Sequence, residues 1–310
     1  MSADRSRLDV LAPHPPGPLV LLLAAGVIWL WYAANILVHL DVTGAAFDSY
    51  VDRAWLGVLV ICAIGAATVL VRSPAPTPRR LLWAGVAGLA GLVGTLASGA
   101  AVWRAVIVAL AAALVVLAAW RLFDLTDRPE GSDPAPAPPR GPRTKYPRPT
   151  HWDVRTLGTT FRLRPWKGLL WLAIGVVVGI PFGVLNLVFR LRQGEPETQP
   201  LSALVAAVEP AVAGELVLRL ALGALWFAAM RGRRRTRGSV VGLYALLTLP
   251  FAMVMMTDVL VSAPAFGVLG ILANAVFTGI PLTFLATQIN VQSAVGFHWA
   301  LVVLPVTLGV

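Results

Sequence analysis

Apolar runs of about 20 residues recur along the chain, and each is long enough to cross a hydrocarbon core about 30 Å thick. Lipid offers no partner to backbone N–H and C=O groups, so runs of this kind are expected to be helices. The runs do not alternate polar and apolar positions, which excludes a β-barrel. The pattern therefore predicts an all-α, polytopic transmembrane helix bundle of about nine helices. These are predicted at about 18–39, 54–72, 80–99, 101–122, 166–190, 201–230, 239–261, 265–287 and 293–310.

A proline-rich stretch at 129–149 interrupts the series of apolar runs. Proline disrupts both helices and sheets, so this stretch is expected to be extended and exposed. It divides the chain into an N-terminal four-helix membrane block (1–122), a cytoplasmic, Pro-rich, basic linker (123–164) and a C-terminal five-helix membrane domain (165–310).

Composition supports the membrane class. Hydrophobic residues make up 57% of the chain and charged residues only 13%, whereas soluble domains carry about 25% charged residues. The first apolar run is too long for a signal peptide and is not followed by a small-residue cleavage site, so it is interpreted as a retained helix. The net charge of +10 comes mostly from segments that flank helices, and we therefore predict no nucleic-acid partner.

The basic residues also predict the orientation. They concentrate in alternate connections between the predicted helices, while the opposite connections carry several carboxylates. Basic residues favour the cytoplasmic side, so we predict a multi-pass protein of the cell membrane with a cytoplasmic N-terminus and an external C-terminus. Arg190 and Arg192 depart from this pattern, at the outer end of the fifth helix. The basic set comprises Arg5, Arg7, Arg72, Arg79, Arg80, Arg128, Arg140, Arg143, Lys145, Arg148, Arg155, Arg162, Arg164, Arg231, Arg233, Arg234, Arg235 and Arg237; the acidic set comprises Asp41, Asp48, Asp52, Glu195 and Glu197.

The residues that bind metals are too dispersed to suggest a metal site. The single cysteine, Cys62, lies within an apolar run and has no partner for an internal disulfide. The four histidines occupy separate helices or loops, whereas zinc needs three or four convergent ligands. We therefore predict neither a metal nor another cofactor.

Glu215 and Arg219 lie near the middle of the sixth predicted helix, where an ionisable residue costs a few kcal/mol and is a functional candidate. Their spacing of four residues places them on one helix face, where they can pair. The pair either neutralises itself and holds helices together, or keeps Glu215 oriented as a base in a wet cavity. Glu209 is interpreted as a solvated carboxylate near the helix end, and Arg104 as an arginine that extends to the lipid headgroups. His298, considered alone, is more typical of a hydrogen-bonded packing residue.

The order of three segments resembles the CPBP family, which comprises CAAX proteases and bacteriocin-processing enzymes and is also called the Abi family. These segments are 214–219 (GELVLR), 249–255 (LPFAMVM) and 292–298 (QSAVGFH), and the resemblance covers about residues 165–310. The family pattern is E-E-x-x-x-R, then F-x-x-x-H, then H-x-x-x-N or H-x-x-x-D. The family contains glutamate-dependent intramembrane proteases, in which the first glutamate activates water and the histidines and asparagine stabilise the oxyanion.

By this resemblance Glu215 matches the second glutamate, Arg219 the arginine, Phe251 the phenylalanine and His298 the histidine of the third motif. The implied catalytic residues are thus Glu215, Arg219 and His298. The chain departs from the pattern at three places. Gly214 replaces the first glutamate, Met255 (or Val254, with a shift of one residue) replaces the second-motif histidine, and Val302 replaces the final Asn or Asp.

Three functions remain open on the sequence. We favour a non-catalytic, CPBP-like membrane partner or binding subunit with a degenerate protease site. The alternative is an active intramembrane endopeptidase that uses Glu215, and a further alternative is a transporter or permease subunit, although the chain shows no P-loop and no matched pair of broken helices. The predicted partners are membrane lipid, another membrane protein, or a lipidated or leader peptide.

Overall fold

The computed structural model of the protein describes residues 50–71, 73, 75–126, 165–193, 202–229 and 237–307. These residues are helical apart from short connections, and no strand occurs among them, so the predicted all-α fold is confirmed. The predicted helix at 18–39 and residues 127–164, nearly the whole predicted linker, lie outside the described residues. The other predicted helices all fall on helical segments.

Four continuous helices come first along the described chain. α1 spans Tyr50–Val71, α2 spans Pro78–Ala97, α3 spans Val102–Thr126 and α4 spans Pro165–Gln193. These four, together with the helical stretch Pro264–Ile289, are long and apolar enough to cross a membrane. This finding supports the predicted membrane-embedded class.

The next stretch of the chain, 202–229, is an interrupted helix. It carries a turn at Ala207 and a π-helical segment over the two candidate site residues, Glu215 and Arg219. Segments of π-helix are rare and occur frequently at functional sites. In order, its parts are α5 (Ser202–Ala206), α6 (Val208–Ala211), the π-helical segment Val212–Arg219 and α7 (Leu220–Ala229).

The C-terminal part contains a second interruption that the apolar pattern does not predict. The predicted helix 239–261 divides at Met256, which has left helical geometry (φ −105°, ψ 13°). The short helix that follows ends at Ala263 (φ −146°, ψ 79°), because Pro264 disfavours helical geometry at the residue before it. The parts are α8 (Arg237–Met255), α9 (Thr257–Ser262), α10 (Pro264–Asn274), the π-helical segment Ala275–Gly279, α11 (Ile280–Phe284), the π-helical segment Leu285–Ile289 and α12 (Val291–Thr307).

A tight turn connects α2 to α3, as the short gap between the predicted helices 80–99 and 101–122 requires. Gly99 occupies it with φ at +77°, a conformation that residues with a side chain rarely adopt. The two helices then pack closely, since a Cβ added at Gly91 would lie 2.9 Å from Cγ1 of Val108.

A seam of small residues joins α4 to α12. Gly175, Gly179 and Gly183 recur every fourth residue on α4 and face positions near Ser293, Phe297 and Ala300 on α12, so the two helices run in the same direction. A Cβ added at Gly179 would lie 2.7 Å from the carbonyl oxygen of Phe297. Such close backbone approach is typical of helix pairs in membranes. There the hydrophobic effect does not drive association, and small residues allow the close packing that does.

Helices of the predicted N-terminal block contact the predicted C-terminal domain directly. α2 packs against α5 and α6, and α3 packs against the π-helical segment 212–219 and α7. A Cβ added at Gly94 of α2 would lie 2.7 Å from the backbone nitrogen of Glu209, so α2 lies directly on α6. From α1, Trp55 packs edge-on to Phe251 of α8 with ring centroids 6.3 Å apart. The N-terminal helices therefore form part of the surroundings of the candidate site.

Candidate functional site

Glu215 and Arg219 lie on the inner side of the π-helical segment 212–219, and both side chains are completely buried. Nη1 of Arg219 donates to Oε1 of Glu215, which is the ion pair that their spacing predicts. Removing two charges from water is costly, and the pair offsets this cost only through its mutual attraction and further hydrogen bonds.

His298 of α12 completes the cluster. Its Nδ1 lies 2.9 Å from Oε1 of Glu215, so one carboxylate oxygen is shared by Arg219 and His298. A carboxylate that is ionised only accepts hydrogen bonds, so with Glu215 ionised the donor in this contact would be Nδ1 of His298. His298 is 83 positions from Glu215 in sequence, and spacing alone does not predict their contact; the resemblance implies it.

The ring of Phe251 of α8 contacts the side chains of both Arg219 and His298. The guanidinium carbon of Arg219 lies 4.3 Å from the centroid of the Phe251 ring, a distance at which the face of the ring attracts a cation. The ring of His298 meets Phe251 edge-on, with centroids 5.2 Å apart and an interplanar angle of 87°. The structure thus brings together the four residues that match the family motifs, from three separate parts of the chain.

Three polar atoms of the cluster have no hydrogen-bond partner among the described protein atoms. They are Oε2 of Glu215 and Nε and Nη2 of Arg219. A buried polar atom without a partner costs about 1–3 kcal/mol. These atoms are the ones available to a further polar group at this position.

The surroundings of Gly214 show how much space a glutamate at this motif position would need. A Cβ at this position would lie 2.8 Å from Cε1 and 3.1 Å from Nδ1 of His298, and 3.3 Å from Cε2 of Phe251. The imidazole that bonds to Glu215 therefore occupies the space a side chain at 214 would need. A second carboxylate cannot be introduced there without displacing His298. Met255 and Val302, at the other two departures, carry apolar side chains that donate no hydrogen bonds to an oxyanion.

A second polar contact was not predicted from the sequence, and it corrects two expectations. Glu209 is not solvated: it is 8% exposed, and its Oε1 accepts a hydrogen bond from Nη2 of Arg104 at 3.1 Å. Arg104 therefore has a protein partner, which the headgroup interpretation did not include. Ser98 also donates to Oε2 of Glu209 at 3.1 Å. The sequence contains one indication of this contact. The predicted topology places all three residues at a similar depth in the membrane, near the outer ends of their helices.

An apolar cleft of about 510 Å³ lies on the neighbouring face of the interrupted helix. It is formed by α2, the first turns of α4, the segment 208–216 and α12. Its lining is almost wholly hydrocarbon, with two indole rings and one amide. The lining residues are Trp83, Val86, Ala87, Ala90, Gly168, Leu169, Leu172, Val176, Val208, Ala211, Val212, Leu216, Gln292, Val295, Gly296 and Trp299.

The cleft and the polar cluster are adjacent but separate. Leu216 lines the cleft while Glu215 points towards Phe251 and His298, and Trp299 lines the cleft while His298 joins the cluster. Among the described residues, no group of three or more His, Cys, Asp or Glu side chains could hold a metal ion. The site therefore combines an enclosed, charged, hydrogen-bonded cluster with an open apolar surface beside it.

Comparisons of the chain with protein-family models, curated proteins and solved structures find no match. The resemblance to the CPBP family therefore depends on the residues in the three segments 214–219, 249–255 and 292–298.

Proposed function

We propose that this protein is a CPBP-like, non-catalytic binding subunit of the cell membrane, with its N-terminus in the cytoplasm. In this proposal Glu215, Arg219 and His298 hold helices together, and a hydrophobic membrane partner binds at the apolar cleft. The partner classes are a lipid, a lipidated or leader peptide, or a helix of another membrane protein.

One observation carries the proposal: the imidazole of His298 fills the space beside Gly214, where the family pattern has its first glutamate. In that pattern the first glutamate activates water. Glu215, the remaining carboxylate, is completely buried and already shares Oε1 between Arg219 and His298. A scissile peptide bond would need room next to a free base, and the packing around Glu215 favours a structural role instead.

The runner-up function is an active glutamate-dependent endopeptidase. It is favoured by Oε2 of Glu215, which has no partner among the described atoms, and by the hydrogen bond from His298 to the same carboxylate. A carboxylate beside a histidine is a pair that can activate water. Glu215 would then act as the base, Arg219 would orient it, and His298 would stabilise developing charge.

Peptide turnover separates the two functions. The purified full-length protein, reconstituted in lipid, is incubated with a prenylated CAAX-type peptide and with a bacteriocin-leader peptide, and products are measured by mass spectrometry. We expect no turnover, because loss of a single oxyanion donor alone costs about 100- to 1,000-fold in rate. The chain lacks that donor and the primary base as well.

Two variants make the result decisive. Cleavage that is abolished by Glu215→Gln and weakened by Arg219→Lys would establish the endopeptidase and overturn the proposal. Cleavage that Glu215→Gln leaves unchanged comes from a contaminating protease, and the proposal then stands.

A further inference from the structure

The apolar cleft offers more room and a more defined shape than a non-specific lipid contact needs. Its volume of about 510 Å³ falls in the range of small-molecule pockets, roughly 300–1,000 Å³. Trp83 and Trp299 contribute the largest side chains of the lining, and Gly296 lets α12 lie directly against the backbone of α4 at Leu172. The occupant must be apolar along nearly its whole length, because Gln292 contributes the one side-chain amide of the lining.

One end of the cleft is basic. On α2, the residues Trp83, Val86 and Ala90 line the cleft, and Arg79 stands one turn before Trp83 on the same helix face. On α4, Lys167 directly precedes Gly168 of the lining. Both cationic side chains are exposed. By the predicted orientation this end lies at the cytoplasmic surface, where anionic lipids concentrate.

The cleft together with its basic end corresponds in length to one leaflet. From Arg79 to Ala90 the helix advances 11 residues, which is about 16 Å at a rise of about 1.5 Å per residue. Half of a hydrocarbon core of about 30 Å is about 15 Å. The cleft therefore extends from a charged surface to about the middle of the bilayer, as a lipid chain does.

Length disfavours a transmembrane helix as the occupant. A helix that spans the bilayer needs about 20 residues, or about 30 Å, whereas on α2 the cleft lining extends only from Trp83 to Ala90. A helix would also continue past Ala90 to the other surface. A single flexible hydrocarbon chain is narrower and ends where the cleft ends.

We propose that the cleft binds one acyl chain of an anionic phospholipid from the cytoplasmic leaflet, with the phosphate group over Arg79 and Lys167. The proposal rests on the binding role described above and specifies its ligand. The hydrocarbon chain lies against Trp83 and Trp299.

Quenching of tryptophan fluorescence by lipids brominated on the acyl chain tests this proposal, because two indoles line the cleft. The full-length protein is reconstituted in phosphatidylcholine vesicles with an increasing fraction of brominated phosphatidylglycerol or, in parallel, brominated phosphatidylcholine. The chain contains 11 tryptophans. The contribution of the cleft is therefore the difference between the parent protein and a Trp83→Phe, Trp299→Phe variant.

We expect the cleft pair to be quenched at a severalfold lower fraction of phosphatidylglycerol than of phosphatidylcholine. A basic residue close to an anionic surface contributes about 1 kcal/mol, so Arg79→Gln should weaken this preference about fivefold, and adding Lys167→Gln should remove it. Arg80→Gln is the matched control, because the guanidinium of Arg80 lies over the ring of Trp120, which does not line the cleft. Ala90→Phe, which fills the cleft, should reduce quenching by both lipids.

Equal quenching by the two lipids would show that the cleft does not select an anionic headgroup. Quenching that Ala90→Phe does not reduce would show that the acyl chain does not occupy the cleft. Exclusion of both lipids from the parent protein overturns the proposal in favour of a protein occupant, such as a second copy. The proposed non-catalytic function fails by a different result, namely peptide cleavage that depends on Glu215. The two failures are therefore distinguishable.

Discussion

At the scale of single residues, one oxygen atom organises the candidate site. Oε1 of Glu215 accepts from both Arg219 and His298, and the ring of Phe251 lies against both donors. Every member is buried, so any change in the charge of one side chain acts on the others without screening by water. The cluster is therefore expected to contribute strongly to stability whether or not it performs chemistry.

The first prediction concerns this charge balance. Glu215→Gln removes the carboxylate and leaves the guanidinium of Arg219 buried without a counter-charge, which should lower the free energy of unfolding by about 3–5 kcal/mol. Equilibrium unfolding in detergent micelles measures the loss. Replacing both partners together, as Glu215→Leu with Arg219→Met, should recover much of it, because a well-packed apolar pair often equals a buried ion pair. A Glu215→Gln protein as stable as the parent would show that the pair has no structural role.

The second prediction concerns the packing at Gly214. A methyl group there would meet the ring of His298, so Gly214→Ala should destabilise the protein by about 1–3 kcal/mol through overpacking. Gly85→Ala is the matched control, since no atom lies within 4 Å of a Cβ built at Gly85. The same unfolding measurement should show Gly85→Ala unchanged or slightly more stable, because alanine is the better helix former. Equal effects of the two substitutions would contradict the close contact of His298 with Gly214.

At the scale of elements, the site depends on how α12 is held. His298 belongs to α12, and the glycine seam fixes α12 against α4 over Gly175, Gly179 and Gly183. The π-helical segment 212–219 supplies the other half of the cluster. Small changes in the seam should therefore move His298 relative to Glu215, although the seam contains no polar side chain of the cluster.

The third prediction follows from this coupling. Gly179→Ala places a methyl group against the backbone of Phe297, the residue before His298, and should cost about 1–3 kcal/mol. It should also reduce the additional loss caused by Glu215→Gln, because the two sites share α12 and cease to be independent. A double-mutant cycle in detergent measures the coupling, with Gly65→Ala as the control, since Gly65 faces open space. Strict additivity of Gly179→Ala and Glu215→Gln would rule out the coupling.

At the scale of the whole molecule, the two predicted blocks contact each other where the α2–α3 hairpin meets α6. The contact of Arg104 and Ser98 with Glu209 joins the α2–α3 hairpin to α6, and Gly94 allows the backbones to meet. The N-terminal helices, for which the motif resemblance gives no role, form one side of the apolar cleft through α2. A ligand in the cleft would therefore contact both parts of the chain.

The fourth prediction concerns orientation. Single cysteines at Ser132 and Thr236, in a Cys62→Ala background, should be inaccessible to an impermeant thiol reagent in intact cells, because both positions belong to basic connections that are predicted to be cytoplasmic. Ala75, between α1 and α2, should behave in the same way. Ala101, in the turn on the opposite side, should be labelled and serves as the positive control. Labelling at Ser132 or Thr236 without cell lysis would reverse the orientation and place the basic end of the cleft outside.

The sequence by itself determined the fold class, the positions of most helices and the pairing of Glu215 with Arg219. These features are local in origin. Apolar length predicts a helix in lipid because the backbone must satisfy its own hydrogen bonds, and a spacing of four residues places two side chains on one face. The tight turn at Gly99 was also predictable from the short gap between the predicted helices 80–99 and 101–122.

Only the tertiary structure decided which distant residues meet. It placed His298 against Gly214, brought Arg104 to Glu209, and opened the cleft between α2 and α12. Nothing in the hydrophobic pattern specifies how helices are rotated about their axes when most faces are apolar. The rotation is set by close packing at glycines and by the need to pair buried charges, and both depend on contacts between segments far apart in the chain.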